Sequence, residues 1–588
     1  MAGTASPSAP GSATAPPPST LAETQPAAAH PASAQPAFSD ARPSSAGVSR
    51  LSRSPSLIAR LLRHAHEVPD RPAVRFEGRE TSWADHCEAV LRTAHDLRTR
   101  RVGPGDRIAL LLTNRPEFLT VTQAAAAIGA IVVPINFRLT AAEVAYILGH
   151  SSPRVLVTEP QTGTLAADAV GSLASTSSPS PAAEVPVTTE PTTASAAVSA
   201  SPEGAAHLPV VLDCEEDWLP DVVAHGTPLD VDDIHVPHDD TEYAILYTSG
   251  TTGRPKGAVL THLNLYNAGV QNGMRWGANE TSTVMLAPPL FHVGAFMSTH
   301  SALATGAASL VIPSAGFDAA RTLKSMKDGD VTSAFMVPQQ WHLLCDEIER
   351  TGETGLSLTH ASWGGAPATE KLLRRMAACM PHAQIAAVFG QTETCGTAVT
   401  LSFEDSLRKI GSVGKPTSET WIRVVDADMK DVGVDEVGEI VYRGTCVMNR
   451  YWDDEAATAE AFAGGWFHSG DLVRRDAEGF LYVVDRVKDM IISGGENIYC
   501  AEVENALSWH PDLAEVTIIG RPDETWGEVP VACVVPVEGT AAPSLDDLRG
   551  FLDDRLARYK HPKDVIVLDA LPRTGMGKIH KKALRGAV

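Results

Sequence analysis

Short apolar runs alternate with amphipathic stretches along most of the chain. Arg107-Ile-Ala-Leu-Leu-Leu112 and Ala130-Ile-Val-Val-Pro134 have the length and continuous apolarity of buried strands, and Glu117 to Ile128 between them has the length of a helix. The order returns at Ser309-Leu-Val-Ile312, Asp318 to Lys327 and Thr332-Ser-Ala-Phe-Met336. Strand, helix, strand predicts an α/β layer fold with parallel strands, and the lack of a close internal repeat argues against a solenoid. After about Asp485 the texture changes. Ala501 to Ser508 and Leu545 to Leu556 read as helices, Ala514 to Ile519 and Val529 to Val535 as strands, which places a small α+β domain at 486–588 behind a large domain at 50–485.

Two tracts break the pattern. Residues 1–49 are rich in Ala, Ser, Pro and Thr with almost no bulky apolar side chains, too few to offset the entropy of ordering, and read as a disordered tail. Residues 161–206, between the strand-like Arg154-Val-Leu-Val157 and Leu208-Pro-Val-Val-Leu212, share that composition and read as a low-complexity insertion at a surface loop.

A chain of 588 residues exceeds what one core supports, so at least two domains are expected. The formal charge of −23 disfavours a nucleic-acid backbone as partner. No apolar run is long enough for a membrane span. The eight scattered cysteines lack metal-ligand spacing and read as thiols of a reducing compartment. With no signal-peptide pattern at the N-terminus, a cytoplasmic monomer or homodimer is expected.

The chemistry concentrates in Tyr247-Thr-Ser-Gly-Thr-Thr-Gly-Arg-Pro-Lys-Gly257, directly after the strand-like Tyr243-Ala-Ile-Leu246. Gly250, Gly253 and Gly257 let successive backbone N–H groups turn toward one anion, while Thr248, Ser249, Thr251, Thr252 and Lys256 add donors and charge. This is a cradle for phosphate. It is not a Walker A loop, because Gly257 follows the lysine where Ser or Thr is required.

This string resembles the signature of the adenylate-forming superfamily: acyl-CoA synthetases, luciferase-like enzymes and peptide-synthetase adenylation domains. Further motifs of that superfamily follow in order at Trp363-Gly-Gly-Ala-Pro367, Phe389-Gly-Gln-Thr-Glu393, Gly465 to Leu472, Asp485 to Asp489, Ser493 to Ile498 and Pro572 to Lys578. The resemblance implies a large parallel-rich domain with a β-barrel-like part and a small mobile α+β domain. It also implies roles. Glu393, with Thr248, holds Mg²⁺, a hard ion that prefers oxygen. Thr392 meets the nucleotide phosphate, and Gly390 and Gln391 belong to the same ATP-binding turn. Phe389 stacks on adenine, and Gly365, Ala366 and Pro367 form a wall beside it. Asp471 accepts the ribose hydroxyls, and Arg486 holds the ribose and phosphates. Lys578 bridges the attacking carboxylate and the α-phosphate. Lys488 is the hinge of the small domain, and Gly494, Gly495, Glu496 and Asn497 line the passage for CoA. His292, Trp363 and Gly364 border the acyl pocket.

The implied reaction has two steps. A carboxylate attacks MgATP to give an acyl-adenylate and pyrophosphate, and CoA then displaces AMP. The apolar and small residues near His292 and Trp363 favour a fatty acid, with an aromatic acid as alternative. Where amino-acid-activating members carry an Asp, this chain has Phe291 and His292, which weakens a free-standing enzyme loading a carrier protein. A luciferase shares the scaffold. A nucleotide-binding protein without turnover is expected to lack Lys578, Glu393, Asp471 or Arg486, all present here.

Overall fold

The structure, a computed structural model, describes residues 49–176, 208–216, 218–248, 255–314, 316–366, 368–486, 489–493, 496–573 and 579–586. Two large sheets organise the chain up to about residue 450. One has seven strands in the order Arg450–Tyr451, Lys256–Thr261, Glu242–Thr248, Ile131–Pro134, Arg107–Leu110, Val155–Thr158 and Val210–Asp213. From Glu242–Thr248 onward in that order, neighbours pair in parallel. The other has nine strands, and its run from Gln384–Phe389 through His360–Gly364, Ser333–Met336, Thr283–Leu286 and Ala308–Val311 to Pro72–Phe76 is parallel.

These strands are short and apolar because helices cover both faces. Ile131–Pro134, Val155–Thr158 and Thr283–Leu286 are buried at every position, as parallel strands sandwiched between helices must be. The helices start where the sequence supplies caps. Thr140 and Glu143 form a reciprocal capping box for Ala141–Ser151, and Asp318 accepts the Arg321 amide at 2.8 Å, opening Ala319–Asp328.

The segment 161–206, expected to be a loop insertion, begins otherwise. Pro160–Thr176 is a helix of 17 residues whose Ala166, Ala169 and Leu173 are buried in the core beside Val144, Ile147 and Leu148. The rest of that segment, like the tail 1–48, lies outside the described residues.

The barrel-like part takes the form of a four-stranded antiparallel sheet: Thr420–Val425, Val437–Gly444, Phe467–Arg475 and Leu481–Arg486. The chain then enters the last sheet, in which Leu513–Asp523 and Gly527–Pro536 form a long hairpin, Glu496–Ile498 makes an edge, and Asp564–Val567 joins in parallel. Helices Cys500–Leu507 and Leu545–Leu552 share a core with it.

Candidate active site

Glu242–Thr248 and Lys256–Thr261 are antiparallel neighbours with Thr248 opposite Lys256. Their pairing fixes both ends of the glycine-rich segment, and the Thr248 hydroxyl donates to the Lys256 carbonyl at 3.4 Å. The middle of that segment, Ser249, Gly250, Thr251, Thr252 and Gly253, lies outside the described residues, as do Pro367, Lys488, Gly494, Gly495 and Lys578.

From Lys256 a chain of contacts leads to the expected magnesium ligand. The Lys256 ammonium stands over the Tyr451 ring, 5.1 Å from its centroid, and the Tyr451 hydroxyl donates to Glu393 Oε1 at 2.9 Å. Tyr451 is placed by a two-residue strand paired with Ala258 and Val259. Glu393 sits in a single 3-10 turn, Thr392–Thr394, just beyond the carboxyl end of the strand Gln384–Phe389. Side chain and backbone close that turn on themselves: the Gln391 amide donates to Thr394 Oγ1 at 3.0 Å, and that hydroxyl donates to the Gln391 carbonyl at 3.1 Å.

Glu393 is buried, and burial raises the pKa of its carboxyl. The Tyr451 hydroxyl and the charge of Arg486 act in the opposite direction, while Asp471 adds to the rise. A desolvated carboxylate whose hydrogen-bonding neighbour is neutral has a negative charge to be met by a cation, which is the condition a Mg²⁺ ligand satisfies.

Asp471 and Arg486 face each other on adjacent antiparallel strands. Arg486 Nε donates to Asp471 Oδ1 at 2.8 Å; the carboxylate is nearly closed to solvent at 5% exposure and the guanidinium is 43% exposed. The acid is thus held in a set orientation with the charged fork extending past it toward solvent. Gln391 Nε2 donates to the Ser469 carbonyl at 3.3 Å, and the Ser469 hydroxyl accepts the Asp471 amide at 3.0 Å. These bonds join the turn of Glu393 to the strand of Asp471.

The expected acyl-pocket residues separate. His292 caps the helix Val293–Thr305, its Nδ1 accepting the Gly294 amide at 3.3 Å. Gly364 ends the strand His360–Gly364, beside Val388 of the next strand. Trp363 points to the opposite face of that strand, into the cluster that holds Trp341, Leu344 and Met376. Its structural surroundings are those of a core residue. Gly365 has a left-handed φ of 77°, and Ala366 and Phe389 are partly exposed.

On the other side, Asp485 ties the end of the antiparallel sheet to the last helical layer. Its Oδ2 accepts the Cys500 amide at 2.6 Å and its Oδ1 the Arg486 amide at 2.7 Å. Cys500 Sγ donates to the Asp489 carbonyl at 3.2 Å, and Asp489 pairs with Arg585 at 2.8 Å. Burial pushes the Cys500 thiol well up, which removes it as a nucleophile. Glu496 and Asn497 are exposed on their edge strand.

Tyr451 and Ser469 escape a reading of the sequence alone. Ser469 lies inside the motif Gly465 to Leu472 but is given no role there, and Tyr451, outside every motif, meets Glu393 across 58 positions.

Comparisons with known proteins show the family of the chain. The pattern of the family described as AMP-binding enzyme matches residues 61–452, and that of the AMP-binding enzyme C-terminal domain matches residues 502–578. An indoleacetate–CoA ligase of Aromatoleum aromaticum is 36% identical over 90% of this chain and 97% of its own length. A long-chain-fatty-acid–CoA ligase of Mycobacterium tuberculosis is 33% identical over 84% of this chain and 90% of its own. Among solved structures, the o-succinylbenzoate CoA synthetase of Bacillus subtilis, bound to its acyl-adenylate, superposes with a TM-score of 0.74 at 30% identity, covering 90% of this chain and 97% of that one. The chain therefore belongs to the AMP-binding, adenylate-forming enzymes and stands with their acid–CoA ligases.

Proposed function

We propose that the protein joins a hydrophobic carboxylic acid to CoA at the expense of ATP, through an acyl-adenylate. The observation that carries this reading is the linked set Lys256, Tyr451, Glu393, Asp471 and Arg486, gathered where a phosphate cradle, a metal-ligand carboxylate and a ribose-binding acid are needed together. In this reading Asp471, oriented by Arg486, takes the ribose hydroxyls, and Thr248 to Lys256 take the phosphates. Glu393 and the Thr248 hydroxyl are the oxygen donors for Mg²⁺, which when bound neutralises phosphate charge. Lys578 offsets the two anions that adenylation forces together, a stabilisation that grows toward the transition state. Lys488 is the hinge, and Gly494 to Asn497 border the thiol's path. The protein itself forms no covalent bond to substrate.

Its eight cysteines are all free thiols, and no helix among the described residues is long and apolar enough to cross a membrane. The free thiols support a place in a reducing compartment. The test is pyrophosphate release with fatty, aromatic and amino acids, with and without CoA. Release with a hydrophobic acid, and a thioester only when CoA is added, is the expected result; turnover of amino acids alone, or no thioester with any acid, overturns it.

A further inference from the structure

Seven of the eight cysteines are buried, and Cys379 alone is partly exposed. It closes the helix Glu370–Cys379, with the buried Leu372 and Met376 on the same face one and two turns earlier. This helix packs against Pro338–Thr351, with Cα atoms of the two within 8 Å. On Pro338–Thr351, Cys345 is fully buried beside Trp341 and Leu344, and Glu349 stands one turn further along the same face.

Cys379 Sγ donates to Glu349 Oε1 at 3.5 Å, which seats the thiol on that face. The Cys345 thiol in turn donates to the Cys379 sulfur. Burial holds the Cys379 thiol above its ordinary pKa; the hydrogen bond from Cys345 and the charge of Arg375 pull it back, and Glu349 pushes it up. Burial pushes the Cys345 thiol up to about 12. Two thiols thus meet across a helix pair, one within reach of solvent and the other with its proton aimed at the first. That is the arrangement of an attacked thiol and a resolving one. Cys395 and Cys446 are also neighbours, but both are fully buried, which shields them from a dissolved oxidant.

We infer that Cys345 and Cys379 form a reversible oxidation site, in which hydrogen peroxide oxidises Cys379 and Cys345 closes a disulfide onto it. In the first step the Cys379 sulfur bonds one peroxide oxygen as the O–O bond breaks, and the departing hydroxide takes the thiol proton and leaves as water. The product is a sulfenic acid. Cys345 Sγ then attacks that sulfur, the S–S bond forms, the S–O bond breaks, and the expelled hydroxide takes the Cys345 proton to leave as a second water. The two thiols lose two electrons, and one peroxide becomes two waters. With both thiols above their ordinary pKa, the first step is slower than at a low-pKa sensor thiol, so the site answers to sustained peroxide. The closed form staples two helices that follow the strands Ser333–Met336 and His360–Gly364, and it spares Cys379 the irreversible sulfinic state.

The experiment exposes the full chain to a graded series of hydrogen peroxide, blocks the remaining thiols by alkylation and maps peptides by mass spectrometry without reductant. The wild type is expected to yield a Cys345–Cys379 disulfide before any other cysteine changes, and dithiothreitol is expected to reverse it. The melting temperature is expected to rise by about 2 °C or more on oxidation and to return on reduction. Cys345→Ala is expected to leave Cys379 as a sulfenic acid that dimedone traps, and Cys379→Ser to leave Cys345 a free thiol. The mapping in the wild type stands even if a variant fails to fold. A wild type in which Cys379 passes to the sulfinic acid without a link overturns the inference. A Cys395–Cys446 link formed first, a link between two chains, or eight unchanged cysteines does the same.

Discussion

A carboxylate as buried as Glu393 is costly unless its charge is met, and the Tyr451 hydroxyl at 2.9 Å is its neutral partner. Hydrogen bonds to charged groups contribute about 1.5–3 kcal/mol, so Tyr451→Phe is expected to cut kcat/KM for ATP by about 10-fold or more and to raise the Mg²⁺ concentration needed for half-maximal rate. Initial rates of pyrophosphate release across a magnesium titration check this, and an unchanged magnesium dependence sinks it. Glu393, Asp471 and Arg486 were readable in the sequence because each lies in a short string of fixed spacing. Tyr451 was not, because its tie to Glu393 is made by the pairing of Arg450–Tyr451 with Val259 and Ala258.

At the scale of elements, the clearest departure from the sequence reading is the helix Pro160–Thr176. Its Ala, Ser, Thr and Gly content resembles the low-complexity run that follows, yet Ala166, Ala169 and Leu173 fall three and four positions apart and line one face. Small side chains suffice there because the neighbouring helix comes close: a Cβ on Gly149 would lie 3.2 Å from Leu173 Cδ1. Ala169→Asp places an unpaired charge in that contact and is expected to destabilise the fold by an amount of the order of 3 kcal/mol, read as a lowered urea midpoint. A change within error would return the segment to a surface loop. The strands of the two large sheets, by contrast, followed from their apolar runs, since a strand covered on both faces has no polar side to confuse the pattern.

Across the whole molecule, burial sets how stability responds to acid. His86 and His300 are fully buried with pKa values lowered to about 4, and His262 to about 3, in each case chiefly by desolvation. Each folded value lies below the ordinary imidazole value of about 6.5, so the unfolded chain takes up protons first, and the stability these neutral rings confer is full above about pH 6.5 and lost as pH falls from there toward 4. The loss reaches roughly 2 kcal/mol per imidazole at pH 5. Thermal melts between pH 8 and 5 are expected to show a steep fall below 6.5, and replacing His300 by Gln is expected to flatten part of it; a flat profile contradicts the burial. The sequence by itself determined the layered α/β class and the ordered adenylate-forming motifs, because apolar runs and glycine-rich spacing are local properties. Which side chains meet was decided only by the tertiary structure. Tyr451 beneath Lys256 and Trp363 turned into the core both depend on strand register between segments far apart in the chain.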